Sequence, residues 1–277
     1  GFNFTLSVSD LPDFYSYTAI NSNLEYKYNL SDREFITIQT LSFEYYKPDT
    51  GYLFTQITQG SEFAKKSFLG SRIFTSFFFK TLQYSYTNKT SNQGIKWATN
   101  GLIEQSGGEL KLINLGYNLL SGQSNIWQIK GSKEVIEFAN YLSARFDLKM
   151  YTFINKDTYF AFRVGPGVIY AFGTQVVPYI KQFYVGGPLS NRAWNAREIG
   201  PGIDTMSLNQ LESQPFFATG DFKLDLNAEF RFKVWSFVEA AAFIDAANVW
   251  NLKENNPGHR LTKNFINEMA IGLGYGL

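Results

Sequence analysis

The sequence predicts an all-β fold, a transmembrane antiparallel up-and-down β-barrel, and three observations predict it. The first is the stretch from Asp221 to Val234, DFKLDLNAEFRFKV, whose alternation is unbroken. Asp221, Lys223, Asp225, Asn227, Glu229, Arg231 and Lys233 fall on one face, and Phe222, Leu224, Leu226, Ala228, Phe230, Phe232 and Val234 on the other. A period of two is the mark of a strand, not a helix. At ~3.3 Å per residue this one runs ~45 Å, well beyond the usual ~5–6 residues. Water inside and lipid outside satisfy both faces. The second observation is an aromatic content of 18%, with 27 Phe, 17 Tyr and 5 Trp, which two interfacial girdles would use. The third is that short turns and long loops alternate from Leu30 onward, as in a barrel with turns on the periplasmic side and loops outside. A soluble β-sandwich or propeller could share the aromatic content but has no need of that one-sidedness.

Ten strands are expected. Phe2 to Ser9 is short; Tyr15 to Leu30 sets Asn21, Asn23, Glu25, Lys27 and Asn29 against Ile20, Leu24, Tyr26 and Tyr28. A tight turn at Ser31-Asp32-Arg33 leads to Glu34 to Lys47, where the apolar phase slips from Ile36 and Ile38 to Leu41, Phe43 and Tyr45. Such a slip predicts a bulge near Gln39 and Thr40. Asp49 to Gly70 is a long loop, with a helical turn at SEFAKKSF. Ser71 to Tyr86, the polar turn TNKTSNQ and Gly94 to Gln105 follow. Ser106 to Lys133 is a second long loop, glycine-rich and apolar enough to fold over an opening. Ala139 to Thr152 alternates cleanly, and Asn155-Lys156-Asp157 turns into Tyr159 to Phe172, where Gly165-Pro166-Gly167 should interrupt or bulge the strand. Gly173 to Thr219 is the longest irregular region. After Asp221 to Val234 come a turn at Val234-Trp235-Ser236, the strand Phe237 to Trp250, a loop from Asn251 to Thr262 and a last strand, Lys263 to Leu277.

Composition removes other classes. Lys+Arg 25 against Asp+Glu 24 provides no basic field for nucleic acid. The absence of cysteine excludes disulfides and thiol chemistry, and the one histidine, His259 in NNPGHR, reads as a loop residue. No apolar run of about eighteen residues offers a membrane-crossing helix. A mean hydropathy of −0.19 still permits insertion, because a barrel strand shows lipid only every second side chain. No GxSxG, HExxH, P-loop or EF-hand occurs, and GGELKLINLG lacks the Lys-Ser or Lys-Thr of a nucleotide loop. The carboxylates Asp221, Asp225, Glu229 and Asp245 alternate with cations and read as a wetted wall, not as catalytic groups. No enzyme activity, cofactor or metal is expected.

The segment YVGGPLSNRAWNAREIGPG, Tyr184 to Gly202, resembles the sixth extracellular loop of the outer-membrane assembly superfamily to which BamA and TamA belong, with its GGxxSxRG pattern. Gly186, Gly187, Ser190 and Arg192 match that motif. Ala193 stands where the wider superfamily has glycine, and Trp194 where it has Phe or Tyr. With GDFKLDLNAEFRF and FIDAANVW in the same order, the blocks from Val177 to Trp250 look most like the TamL lipoprotein branch. The resemblance implies a sixteen-stranded barrel, of which residues 1–277 would be strands five to fourteen of the C-terminal domain, with the first four strands, the last two and the periplasmic POTRA repeats outside this piece. It also implies that the loop folds into the lumen, where Arg192 pairs with Glu229 and Asp245. The strand pattern agrees independently in setting Glu229 on a polar face. Taken alone, Arg192 would be a solvated loop arginine. Removing one partner of a desolvated pair costs about 3–5 kcal/mol, enough to unplug a loop held by little else.

The function that follows from the resemblance is assembly, insertion or translocation of outer-membrane proteins. Its expected partners are membrane lipid, nascent outer-membrane proteins and a periplasmic partner reached through the POTRA repeats, with no nucleic acid. The alternative is a passive channel or polypeptide-secretion pore of the same superfamily.

Overall fold

A computed structural model describes residues 1–11, 15–49, 66–67, 72–88, 94–121, 128–130, 135–172, 176–203, 218–254 and 256–276. Most of the expected loop from Asp49 to Gly70, including all but two residues of its helical turn, lies outside them. The sheet is the wall of an antiparallel up-and-down barrel. Its strands are β1 (Phe2–Leu11), β2 (Tyr15–Ser31), β3 (Glu34–Asp49), β4 (Arg72–Ser76), β5 (Thr81–Thr87), β6 (Ile95–Ser106), β7 (Gln128–Lys130), β8 (Val135–Phe138), β9 (Tyr141–Asn155), β10 (Thr158–Val164), β11 (Gly167–Ala171), β12 (Phe222–Trp235), β13 (Val238–Trp250) and β14 (Ala270–Gly276). β4 and β5 both pair with β3, and β10 and β11 both pair with β9 and β12, so each couple is one wall strand with a break in it. Excluding the small β7–β8 hairpin, ten wall strands result, in the expected order. β1 pairs with β2 and β14 with β13; among the described residues no pairing joins β1 to β14.

The two breaks have separate causes. On β3 the register jumps from Leu24↔Thr40 to Ser22↔Phe43, so Leu41 and Ser42 together stand opposite Asn23, one residue is extra, and Leu41 takes φ 45°. The bulge expected from the slipped apolar phase is therefore present, one or two residues on. It crosses to the next strand, where Phe77 to Lys80 separate β4 from β5. At Gly165-Pro166 the strand is interrupted without a shift: Gly165 N–H still donates to Asp225 O (2.8 Å) and Phe146 N–H to Pro166 O (3.0 Å). Only the donor that proline lacks is missing from the ladder.

One face of the wall carries exposed apolar groups, among them Leu82, Ile103, Leu142, Phe146, Phe160, Phe162, Phe232, Ile244 and Leu273. Phe160, Phe162, Phe230 and Phe232 meet each other as ring neighbours within this face. The opposite face is charged over most of its height. Near its outer end it turns apolar, because residues 176–203 fold inward and bury Tyr141, Ile169, Ala171, Ala247 and Val249 beneath Val177, Tyr179, Phe183, Val185 and Ile199.

Two expectations are corrected. The loop from Ser106 to Lys133 contains a helix, α1 (Gly108–Ser121), and the strand β7, which pairs with β8 just beyond it, and β8 runs parallel to β4. The last strand starts only at Ala270, because Phe265–Glu268 form a 3-10 turn that packs Phe265 edge-on to Trp250.

Candidate functional site

The site is the segment from Phe183 to Ile203, seated on the inner face of β12, β13 and β14. Phe183 and Gly220 exchange both backbone hydrogen bonds (2.9 and 2.8 Å), which fixes where the chain enters. Gly186 then takes φ 94°, and a Cβ there would sit 2.1 Å from Asn195 O. Only glycine permits that bend. Gly187 N–H donates to Trp194 O (2.7 Å), and Ser190 N–H to Gly187 O (3.1 Å), closing a compact loop around the motif. Ser190 Oγ accepts from Gly186 N–H (3.1 Å) and donates to Asp225 on the wall. Ala193 is not among the residues of positive φ, so the methyl in place of the superfamily's glycine is accommodated. Trp194 packs against the apolar cluster at the outer end of the lumen.

The structure brings Arg192 together with Asp245 and Glu229. Its Nε donates to Asp245 Oδ2 (2.8 Å) and Nη2 to Oδ1 (2.9 Å), a two-point pairing. Nη1 reaches Glu229 Oε2 at 3.1 Å, and the Arg192 backbone N–H adds a bond to Asp245 Oδ2 (3.1 Å). The guanidinium also lies 3.5 Å from the ring centroid of Phe243. Asp245 is wholly buried and Arg192 a quarter exposed, so the pair is largely shielded from water and its planar geometry suits the carboxylate. Asn227 Nδ2 donates to Asp245 Oδ1 (2.8 Å), and Glu229 also accepts from Arg231 Nε (2.8 Å).

Several members were not singled out from the sequence. Gly272 and Gly274 on β14 stand opposite Asp245 and Phe243. A Cβ at Gly272 would be 2.3 Å from Asn191 Oδ1 and 2.7 Å from the Ala193 methyl; one at Gly274 would be 2.3 Å from Phe243 Cζ. Gly272 thus leaves room for the loop and Gly274 for the Phe243 ring that lies under Arg192, and the alternate glycines of AIGLGYG did carry that signal. Asn191, fully buried, donates to Ala270 O (2.8 Å). Arg163 on β10 holds Leu189 O (2.6 Å) and pairs with Asp147 (2.6 Å).

A second charged latch lies on the far wall. Lys181 Nζ is 3.1 Å from Glu44 and 3.3 Å from Glu104. Lys80 also pairs with Glu44 (3.2 Å), and Tyr141 OH donates to Glu104 (2.7 Å). Burial opposes the charge on Lys181, yet Tyr141, Glu104 and Glu44 beside it hold its pKa well above the ordinary lysine range. The inward-folded stretch 176–203 is therefore braced between β3 and β6 on one side, through Lys181 ahead of the segment, and β12 and β13 on the other. The expectation of a loop held by little besides Arg192 is corrected: Lys181, Arg163, Asn191 and Ser190 share the task. No single residue type announced this, because the groups come from strands far apart in the chain.

His259 sits in a turn and its Nδ1 is 2.8 Å from Glu254. Among the described residues no cluster of His, Cys, Asp and Glu could hold a metal ion.

Among solved structures, BamA from Haemophilus ducreyi lacking POTRA domains 1-3 is similar, with a TM-score of 0.58 at 15% identity, covering 98% of this chain and 50% of that one. CdiB from Escherichia coli gives a TM-score of 0.48 at 11% identity, covering 93% and 40%. This chain thus spans about half the length of the first. No curated protein matches it. The Omp85 superfamily domain matches residues 1–277, the whole sequence, and the chain accordingly belongs to the Omp85 superfamily, whose members are β-barrels of the bacterial outer membrane.

Proposed function

We propose that the protein is a non-enzymatic outer-membrane assembly factor that inserts or translocates client outer-membrane proteins, and that the segment from Phe183 to Ile203 plugs its lumen through Arg192. The observation that carries this reading is the brace itself. An arginine largely shielded from water and held by two carboxylates of adjacent strands, with a largely shielded lysine held by two more on the opposite wall, is an elaborate brace for an open pore. Blocking the lumen leaves strand pairing at a sheet edge as the step that can receive a client, with backbone hydrogen bonds exchanged and no covalent bond broken. Such a step needs no cofactor. Client chains and a periplasmic partner reached through POTRA repeats are the partners this reading calls for, and the TamL-like blocks from Val177 to Trp250 support placement in that branch.

The test uses the whole protein. In vesicles it should accelerate the folding of an added barrel client, and its depletion from cells should lower the amounts of other outer-membrane proteins. A large steady conductance in planar bilayers, with client folding unchanged, would replace this reading with the passive or secretory pore.

A further inference from the structure

Helix α1 carries an apolar side that the barrel does not cover. Leu112, Ile113, Leu115, Leu119 and Leu120 are all exposed, the last two at 80% and 91%. At about 100° per residue they share one broad arc centred near Gly116, while buried Leu110 lies across the helix from them.

The anchoring of the first turn shows which side of the wall the helix leaves from. On β6 the exposed Ile103 faces outward, whereas Glu104 reaches Lys181 in the lumen; alternation then points Gln105 outward. The Gln105 amide donates to Phe79 O (2.7 Å) and Glu109 Oε1 (3.1 Å), and its Oε1 accepts from Gly108 N–H (3.2 Å). Glu109 in turn accepts from the backbone N–H groups of Phe77, Phe78 (2.9 Å) and Phe79 (3.4 Å). The start of α1 is thus tied to the outside of the break between β4 and β5, beside three exposed phenylalanines, just beyond the outer end of β6.

We propose that α1 lies flat in the outer leaflet of the membrane, its leucine side among acyl chains and continuous, through Phe77, Phe78 and Phe79, with the lipid-facing surface of β5 and β6. Fourteen residues span ~21 Å, and none of the described helices is long and apolar enough to cross a membrane. An amphipathic helix of that kind rests in the interface. The occupant is lipid because the arc joins an apolar face that is already lipid-facing. Lying there, α1 would pin its loop to the bilayer and disturb lipid packing beside β4 to β6.

The sequence contains no cysteine, so one introduced thiol takes one environment-sensitive fluorophore. Leu112→Cys and Leu119→Cys, labelled in the whole protein folded into phosphatidylcholine–phosphatidylglycerol vesicles, should be quenched by lipids with a nitroxide near the headgroup. Phe146→Cys on the wall and Lys263→Cys in an outer loop set the lipid and water limits. Quenching at Leu119 matching that at Phe146 supports the proposal. Quenching no greater than at Lys263 overturns it, as does thiol cross-linking at Leu119 between two copies, which would make the arc a protein interface. Leu120→Cys, the most exposed position, repeats the measurement if Leu119→Cys fails to fold.

Discussion

Replacing Arg192 by alanine removes both bonds from its side chain to Asp245, the one to Glu229 and the contact with Phe243. Asp245, wholly buried, then keeps two donors, the backbone N–H of residue 192 and Asn227 Nδ2. Uncompensated buried charges cost about 3–5 kcal/mol. Two remaining donors place this case near about 3 kcal/mol, which is on the order of 100-fold in the local opening equilibrium. The loss should stay local, because Lys181, Arg163 and Asn191 hold the rest of the segment. Hydrogen exchange reads it directly: the amides of residues 192 and 194, which donate to Asp245 and Asn191 O, should lose about that factor of protection while β12 and β13 keep theirs. Protease sensitivity of the loop should rise in parallel. Adding Asp245→Asn should recover part of the loss, since the stranded charge disappears, and Arg192→Lys should fall between, lacking the planar fork. Unchanged exchange at both amides with an unchanged digestion pattern would refute the pairing as the anchor.

Lys181→Met should free the segment's entry, costing at most about 3 kcal/mol because Glu44 keeps Lys80 and Glu104 keeps Tyr141, with Glu44→Gln recovering part; an unchanged melting temperature and exchange at residues 181 to 183 would count against the second latch. Gly272→Val drives a side chain into Asn191 and Ala193 and should expose the loop to protease, with Ala193→Gly as a partial suppressor; resistance equal to the parent would deny the close approach. Gly186→Ala must hold φ near 94° against Asn195 O, a strain of about 1–3 kcal/mol from the backbone conformation alone and more from the clash; calorimetry showing no loss would sink it. In intact cells, a membrane-impermeant maleimide should label Lys263→Cys but not Lys156→Cys, which sits in the turn between β9 and β10; the reverse would invert the topology.

The sequence by itself determined the wall. Alternation over Asp221 to Val234 and the slipped phase on β3 report which side faces lipid, and Pro166 reports where a strand is interrupted; all three are local properties of a strand. The partners of Arg192 were expected from the resemblance of its loop motif and the two blocks that follow; the residue pattern alone set Glu229 on a polar face and left Arg192 a solvated loop arginine. Helix α1 was not legible, because Gly107, Gly108 and Gly122 border it and Gly116 sits inside it, and glycine is a poor helix former that reads as loop. Only the three-dimensional fold settles what depends on curving the sheet. Lys181 finds Glu44 and Glu104, Arg163 finds Leu189, and Gly272 makes room for Asn191 and Ala193 because curvature brings strands separated by tens of residues onto one inner surface. Side-chain pairing across that surface depends on register and radius, and neither is written in any single strand.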